Sequence, residues 1–172
     1  MNTEFVNESN LSDIGKTLLA THQTIAVAES VTAGHLQVAL SLAENAINFF
    51  QGGITTYNIG QKARHLHIEP IHAQTCNCVS EKVAMEMAVN VCHLFLSDWG
   101  IAITGYASPV PEQNIKELFA IYAICNKTTI VSHGTIKPED DGDPVSVRHQ
   151  YVNKLLEIFK NTISNHSGID QE

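Results

Sequence analysis

Apolar positions along the chain follow two rhythms, helical spacing and short unbroken runs, and their order lays out strands interleaved with helices. Leu11, Ile14, Leu18 and Leu19 stand at helical spacing, with Asn10 or Ser12 able to cap the start and Thr21-His22 closing the pattern. Residues 24–28 read as a strand, and Leu36, Val38, Ala39, Leu40 and Leu42 as a buried helix ending near Asn45. The pair Gly52-Gly53 punctuates the chain, so the second strand is placed at the β-branched and aromatic residues 54–57. A short helix carrying Lys62 follows and closes at Pro70, while residues 72–78 show neither rhythm and are expected to be a connection. Ser80 is placed to cap a long helix striped by Val83, Met87, Val91, Leu94 and Phe95.

Residues 99–104 are almost wholly apolar, as in a strand at the middle of a sheet, and Gly105 ends them. Pro109 and Pro111 without periodicity make residues 106–114 an exposed loop at that strand's end. Residues 118–125 and 129–136 form an antiparallel hairpin turning at Asn126-Lys127. Asp143-Pro144 opens the last helix, with Val147, Tyr151, Leu155, Ile158 and Phe159 on its apolar face, and the polar tail beyond Ile163 is expected to fray. The sum is an α/β fold of three layers, α/β/α, around a mixed sheet. No repeat, linker or low-complexity segment divides the chain, so residues 1–172 are read as one domain with a core at about 11–163 and polar tails.

Hydrophobic residues make up 44% and charged residues 16% of the 172 positions, the balance of a packed protein able to bury its core without disulfides or metals. The formal net charge of −8, with no basic stripe, argues against nucleic acid as a partner and towards a small ligand. Cys76 and Cys78 are too close in sequence, and Cys92 too deep in a helical pattern, to suggest a disulfide framework. A reducing cytoplasm fits that usage. The polar N-terminus has no signal core and no apolar run approaches the roughly 20 residues of a membrane span, so the chain is read as soluble, unexported and off the membrane.

The candidate chemistry lies where the first strand stops, at Glu29-Ser30-Val31-Thr32-Ala33-Gly34. A strand, a sharp turn and a helix start leave backbone N–H groups without intrahelical partners, an arrangement that favours an anion or a developing oxyanion. Ser30 is placed to attack a bound group; the alternative is that Ser30 or Thr32 simply caps the helix. Ligands of open α/β sheets sit beyond the carboxyl ends of strands, which brings Ser30, Tyr57 and Gly105 towards one another. His65, His67, His72, Cys76 and Cys78 are close in sequence, but their C-x-C and H-x-H spacing lacks the paired frame of a structural zinc site, so no metal is expected.

Five segments in order resemble the CinA C-terminal domain family, the competence/damage-inducible proteins. Residues 28–34 look like its A-E-S-C-T-G-G signature, and Gly52-Gly53-Ile54-Thr55-Thr56-Tyr57 with Lys62 is similar to G-G-x-x-x-Y-x-x-x-x-K. Cys78-Val79-Ser80-Glu81-Lys82-Val83-Ala84 resembles A-V-S-E-x-V-A, residues 101–109 resemble V-x-x-T-G-I-A-G-P, and Gly142-Asp143 with Arg148 matches G-D-R-x-x-I-R except at Pro144. The resemblance runs from about Leu11 to Ile163.

It implies an amidohydrolase that converts nicotinamide mononucleotide to nicotinic acid mononucleotide and ammonia, with serine, tyrosine and lysine and without metal or other cofactor. Carried over, the catalytic residues are Ser30, Tyr57 and Lys62, with Tyr57 relaying a proton or orienting Lys62. Val31, Thr32, Gly34, Thr104, Gly105 and Arg148 are the substrate contacts, Arg148 being suited to phosphate. A homo-oligomer, dimer or higher, is also implied, and the chain is expected to stand alone without the additional N-terminal domain of full-length relatives. The sequence departs from the family at Ala33, at Asn58-Ile59 and above all after Gly105, where a glycine-rich loop is replaced by residues 108–118, with Pro109 and Pro111. Proline restricts the backbone and removes a donor, so the recognition loop is remodelled. A related small amide is left open as the substrate, and the alternative is a catalytically impaired CinA-fold binding or interaction protein.

Overall fold

The computed structural model describes residues 6–167 of the chain. In order the elements are α1 (Glu8–Ala20), β1 (Ile25–Glu29), α2 (His35–Ser41), β2 (Phe50–Thr55), α3 (Ile59–Leu66), α4 (Pro70–Thr75), α5 (Glu81–Phe95), β3 (Trp99–Gly105), β4 (Ala120–Asn126), β5 (Thr129–Ile136) and α6 (Pro144–Ser167). Short 3₁₀ turns lie at Ala46–Asn48 and Pro111–Gln113.

The strands form one mixed sheet in the order β2-β1-β3-β4-β5. β1 pairs parallel with both β2 and β3, while β3, β4 and β5 pair antiparallel. The carboxyl ends of β1 and β3 therefore lie side by side, with Glu29 opposite Ile103. Alternation along the strands separates two cores. On one face Ile25, Val27, Ile101, Ile103 and Ile124 pack against α1, α2 and α6; on the other Ala26, Ala28, Ala102 and Ala123 lie beneath α5 with α3 and α4 beside it. The second face is built from small side chains because α5 comes very close: a Cβ on Gly100 would lie 2.2 Å from the Ala88 carbonyl oxygen.

The helices start where side chains satisfy their free N–H groups. Asn7, rather than Asn10 or Ser12, caps α1, accepting from Asn10 N at 3.1 Å. Asn58 caps α3 through Gln61 N, Ser80 caps α5 through Val83 N, and Asp143 accepts from Val145 N ahead of Pro144 in α6.

Four boundaries differ from the sequence reading. β2 runs over Phe50–Thr55, starting four residues earlier than expected, with the glycine pair inside it. A Cβ at Gly53 would meet Val27 Cγ2 at 2.6 Å, and Gly52 has φ +124° beside an irregularity in the β1–β2 register, so the pair admits close packing instead of turning the chain. The expected connection at 72–78 is largely helix, because the Glu69 carboxylate accepts from Ile71 N and His72 N and Pro70 fits the first turn. α2 ends at Ser41 instead of near Asn45. α6 continues to Ser167, its end secured by buried Ile163 and by His166 set edge-on to Trp99 at 5.3 Å.

Candidate active site

The Glu29 side chain, fully buried at the end of β1, organises the turn after it. Its Oε2 accepts from Thr32 Oγ1 at 2.5 Å, Gly34 N at 3.1 Å and Leu36 N at 3.0 Å, and its Oε1 from Gln37 N at 2.9 Å. Four donors compensate a carboxylate that forms no ion pair among the described residues. Three further bonds hold the same turn: Ser30 N donates to Ile103 O at 3.0 Å, His35 Nδ1 to Thr32 O at 2.6 Å and Arg148 Nε to Val31 O at 3.1 Å. The backbone is thus fixed by β1, β3, α2 and α6 together. Among the described residues, the N–H groups of Val31 and Thr32 meet no acceptor.

Ser30 projects from this turn into a cavity of about 550 Å³, which Lys62 enters from α3. Lys62 is 1% exposed; its Nζ donates to Ser30 Oγ at 2.9 Å and to the Thr56 carbonyl at 2.7 Å, and among the described residues no carboxylate pairs with it. Burial pushes its pKa below the ordinary 10.5, and the Cys78 thiol nearby opposes that only in part. Burial likewise pushes the Cys78 thiol up, with Lys62 opposing. Low polarisability of the surroundings therefore favours the neutral amine and the neutral thiol together. A neutral lysine against a serine hydroxyl is a nucleophile with a base in hydrogen-bond reach, the first requirement for attack on a carbonyl carbon.

Of the residues expected here, Ser30, Val31, Tyr57, Lys62, Thr104, Gly105 and Arg148 all line the cavity. Thr32 and Gly34 do not: the Thr32 hydroxyl and the Gly34 amide are both spent on Glu29, and Gly34, at φ +100°, is the cap position of α2. In this arrangement the Thr32 hydroxyl and the Gly34 amide form the turn, and the Thr32 N–H stays without an acceptor among the described residues. Tyr57 stands at the rim, 66% exposed, and its hydroxyl bonds neither Ser30 nor Lys62. The group that orients Lys62 is the Thr56 carbonyl, so the expected orienting part of Tyr57 falls to the preceding residue's backbone. Thr104, 1% exposed, donates its hydroxyl to the Cys78 carbonyl at 2.9 Å. Gly105 lets β3 and β4 meet at the cavity floor: a Cβ there would lie 2.3 Å from Phe119 O. Arg148 uses Nε on Val31, and its two remaining nitrogens have no partner among the described residues.

The sequence reading assigns no part in this site to Glu29, Thr56 or Asn77, and considers Cys78 only as a metal ligand. Glu29 had a signal, a charged side chain closing an apolar strand within a recognised motif; Cys78 stands where that family's pattern has alanine. Thr56 acts through a carbonyl, which no sequence pattern marks. Asn77 and Cys78 are consecutive left-handed residues, φ +49° and +60°, in the turn between α4 and α5. Among the described residues no group of three or more His, Cys, Asp or Glu side chains is arranged to hold a metal ion. No helix among them is long and apolar enough to cross a membrane.

Comparison with known proteins agrees with this architecture. A CinA-like protein of Picosynechococcus is 37% identical over 105 residues, 61% of this chain and 25% of that one, and a CinA-like protein of Synechocystis is 36% identical over 111 residues, 64% and 27%. The chain thus spans about a quarter of the length of these curated relatives. The crystal structure of a competence or damage-inducible protein from Enterobacter asburiae superposes with TM-score 0.84 at 25% identity, covering 91% of this chain and 97% of that one. A competence-damaged protein (CinA) superfamily protein from Escherichia coli superposes with TM-score 0.82 at 27% identity, over 93% and 92%. The CinA C-terminal domain model matches residues 7–163, nearly the whole of the described fold, and the chain belongs to that family.

Proposed function

We propose that this chain is a serine amidohydrolase that releases ammonia from the carboxamide of nicotinamide mononucleotide, leaving nicotinic acid mononucleotide. The observation that carries the reading is the contact of Lys62 Nζ with Ser30 Oγ at 2.9 Å, in a site where burial favours the neutral amine. In the first half-reaction neutral Lys62 takes the Ser30 proton as Oγ bonds to the amide carbon. Negative charge develops on the carbonyl oxygen, and the unpaired Val31 N–H beside the cavity is the donor available to it. Lys62, now charged, gives its proton to the leaving nitrogen; the C–N bond breaks, ammonia departs and an ester on Ser30 remains. In the second half Lys62 takes a proton from water as the water oxygen attacks the ester, and returns it to Ser30 Oγ as the acid leaves.

Arg148 supports a phosphate-bearing substrate through its free nitrogens, and the exposed ring of Tyr57 at the rim suits stacking on a cationic pyridinium. The test is ammonia release from nicotinamide mononucleotide by the purified protein beside Ser30→Ala. The expected result is release that falls by roughly three orders of magnitude or more in the variant with its fold intact. Release that persists in Ser30→Ala removes the serine mechanism. A folded native protein that neither releases ammonia nor binds the nucleotide removes this substrate.

A further inference from the structure

We propose that Asn77 is a positioning residue: it pins the remodelled loop as one wall of the cavity and so sets substrate affinity. The segment expected as an exposed loop is exposed at residues 108–109 and 111–114, and it closes into a hairpin. Val110 N donates to Ile115 O at 3.0 Å and Ile115 N to Val110 O at 3.1 Å, around the 3₁₀ turn Pro111–Gln113 and Asn114 at φ +57°. Its base is fixed, since the Tyr106 carbonyl accepts from Tyr151 Oη at 2.8 Å and Tyr106 N donates to Phe119 O. Its tip is not. Among the described residues, the one polar tie from residues 108–115 to the body of the protein runs from Asn77 Nδ2 to Gln113 Oε1 at 2.5 Å. The same Nδ2 donates to Tyr106 Oη at 3.1 Å, so one amide group spans base and tip.

The backbone is shaped for this. Asn77 sits in the left-handed region, which asparagine tolerates better than most side chains, and Cys78 follows it there. Cys78 N on Ala73 O at 2.7 Å and Thr104 Oγ1 on Cys78 O at 2.9 Å hold the turn in that conformation. Strain kept in place by several bonds is characteristic of functional positions. Asn77, Tyr106 and Val110 line the same cavity as Ser30 and Lys62. Where a glycine-rich loop would bring backbone to the ligand, this chain sets a wall from outside through a side chain on the opposite bank.

The wall stands on geometry alone; its effect on affinity rests on the amidohydrolase reading. Asn77→Gly removes the amide while easing the left-handed backbone, and Gln113→Ala, at an exposed position, cuts the same tie from the loop side. In both variants hydrogen exchange at the Val110 and Ile115 amides is expected to accelerate about tenfold, and KM for nicotinamide mononucleotide to rise about five- to tenfold with kcat held within about twofold. Unchanged exchange in both variants overturns the wall, whatever the activity. Faster exchange with unchanged KM overturns its role in affinity. If the native protein releases no ammonia, the failure belongs to the amidohydrolase reading, and the Kd for nicotinic acid mononucleotide by calorimetry takes the place of KM while exchange decides the wall.

Discussion

Lys62 Nζ reaches Ser30 Oγ at 2.9 Å from a helix that starts only after another strand has been laid down, so the dyad spans 32 residues of chain. Both ends are rigid: Ser30 sits in a turn fixed by Glu29, and Lys62 is anchored by the Thr56 carbonyl. The proton-accepting form of Lys62 is the form its burial favours.

That has a pH signature in rate and in stability. The kcat/KM should rise with pH and level off below the ordinary lysine pKa of 10.5, while Lys62→Arg, charged at all these pH values, is inactive. For stability, Lys62 binds its proton less readily folded than unfolded. The folded state therefore carries a penalty that is full below the folded pKa and fades as pH rises towards 10.5. Thermal unfolding across that window should show Tm rising with pH relative to Lys62→Met, which lacks the titrating group. Parallel curves for the two proteins would mean that Lys62 keeps an ordinary pKa.

Glu29→Ala leaves the Thr32 hydroxyl and the amides of Gly34, Leu36 and Gln37 without their acceptor. Urea unfolding should show a loss of about 3 kcal/mol or more, since buried donors lose their partners together. Glu29→Gln can keep the three donors on one oxygen and should lose less. Equal stability of all three proteins would deny Glu29 its part in forming the turn.

Arg148→Ala should raise KM for nicotinamide mononucleotide by roughly 10- to 100-fold, the value of a charge-assisted contact to phosphate. Nicotinamide riboside, which lacks the phosphate, separates this from damage to the turn through Val31. An equal effect on both substrates would place Arg148 in support of the backbone alone.

Thr56 Oγ1 is buried with no hydrogen-bond partner among the described residues, while its carbonyl serves Lys62. Thr56→Val removes an unsatisfied hydroxyl at nearly constant shape and should stabilise the fold by about 1 kcal/mol in equilibrium unfolding. A destabilised variant would show that the hydroxyl is satisfied in solution.

The order of elements was legible because each is announced locally: apolar β1 and β3, Ser80 ahead of α5, Asp143-Pro144 ahead of α6. The misplaced elements have distant causes. Gly52-Gly53 looks like a turn to any local reading, and only the packing of Val27 and Gln37 against Gly53 explains it as strand. α4 escapes a local reading because its cap is a glutamate, an uncommon choice, and the end of α6 escapes it because a polar sequence hides the His166 contact with Trp99. At the site, residue types could be read but not their distances. Nothing in the spacing of Thr32 or Gly34 tells that both turn inward to Glu29, or that a carbonyl and not Tyr57 steadies Lys62.

The closeness of α5 to the sheet makes the two halves of the core unequal in what they tolerate. Beneath it the middle of the sheet is mostly alanine and glycine, and one added methyl at Gly100 would strike the Ala88 carbonyl of the helix itself. On the opposite face isoleucines, valines and aromatics meet α1, α2 and α6, and volume lost by one side chain can be taken up by its neighbour. Sequence divergence in this fold should therefore be one-sided, with the α1/α2/α6 face free to exchange large side chains and the sheet positions beneath α5 held to small ones.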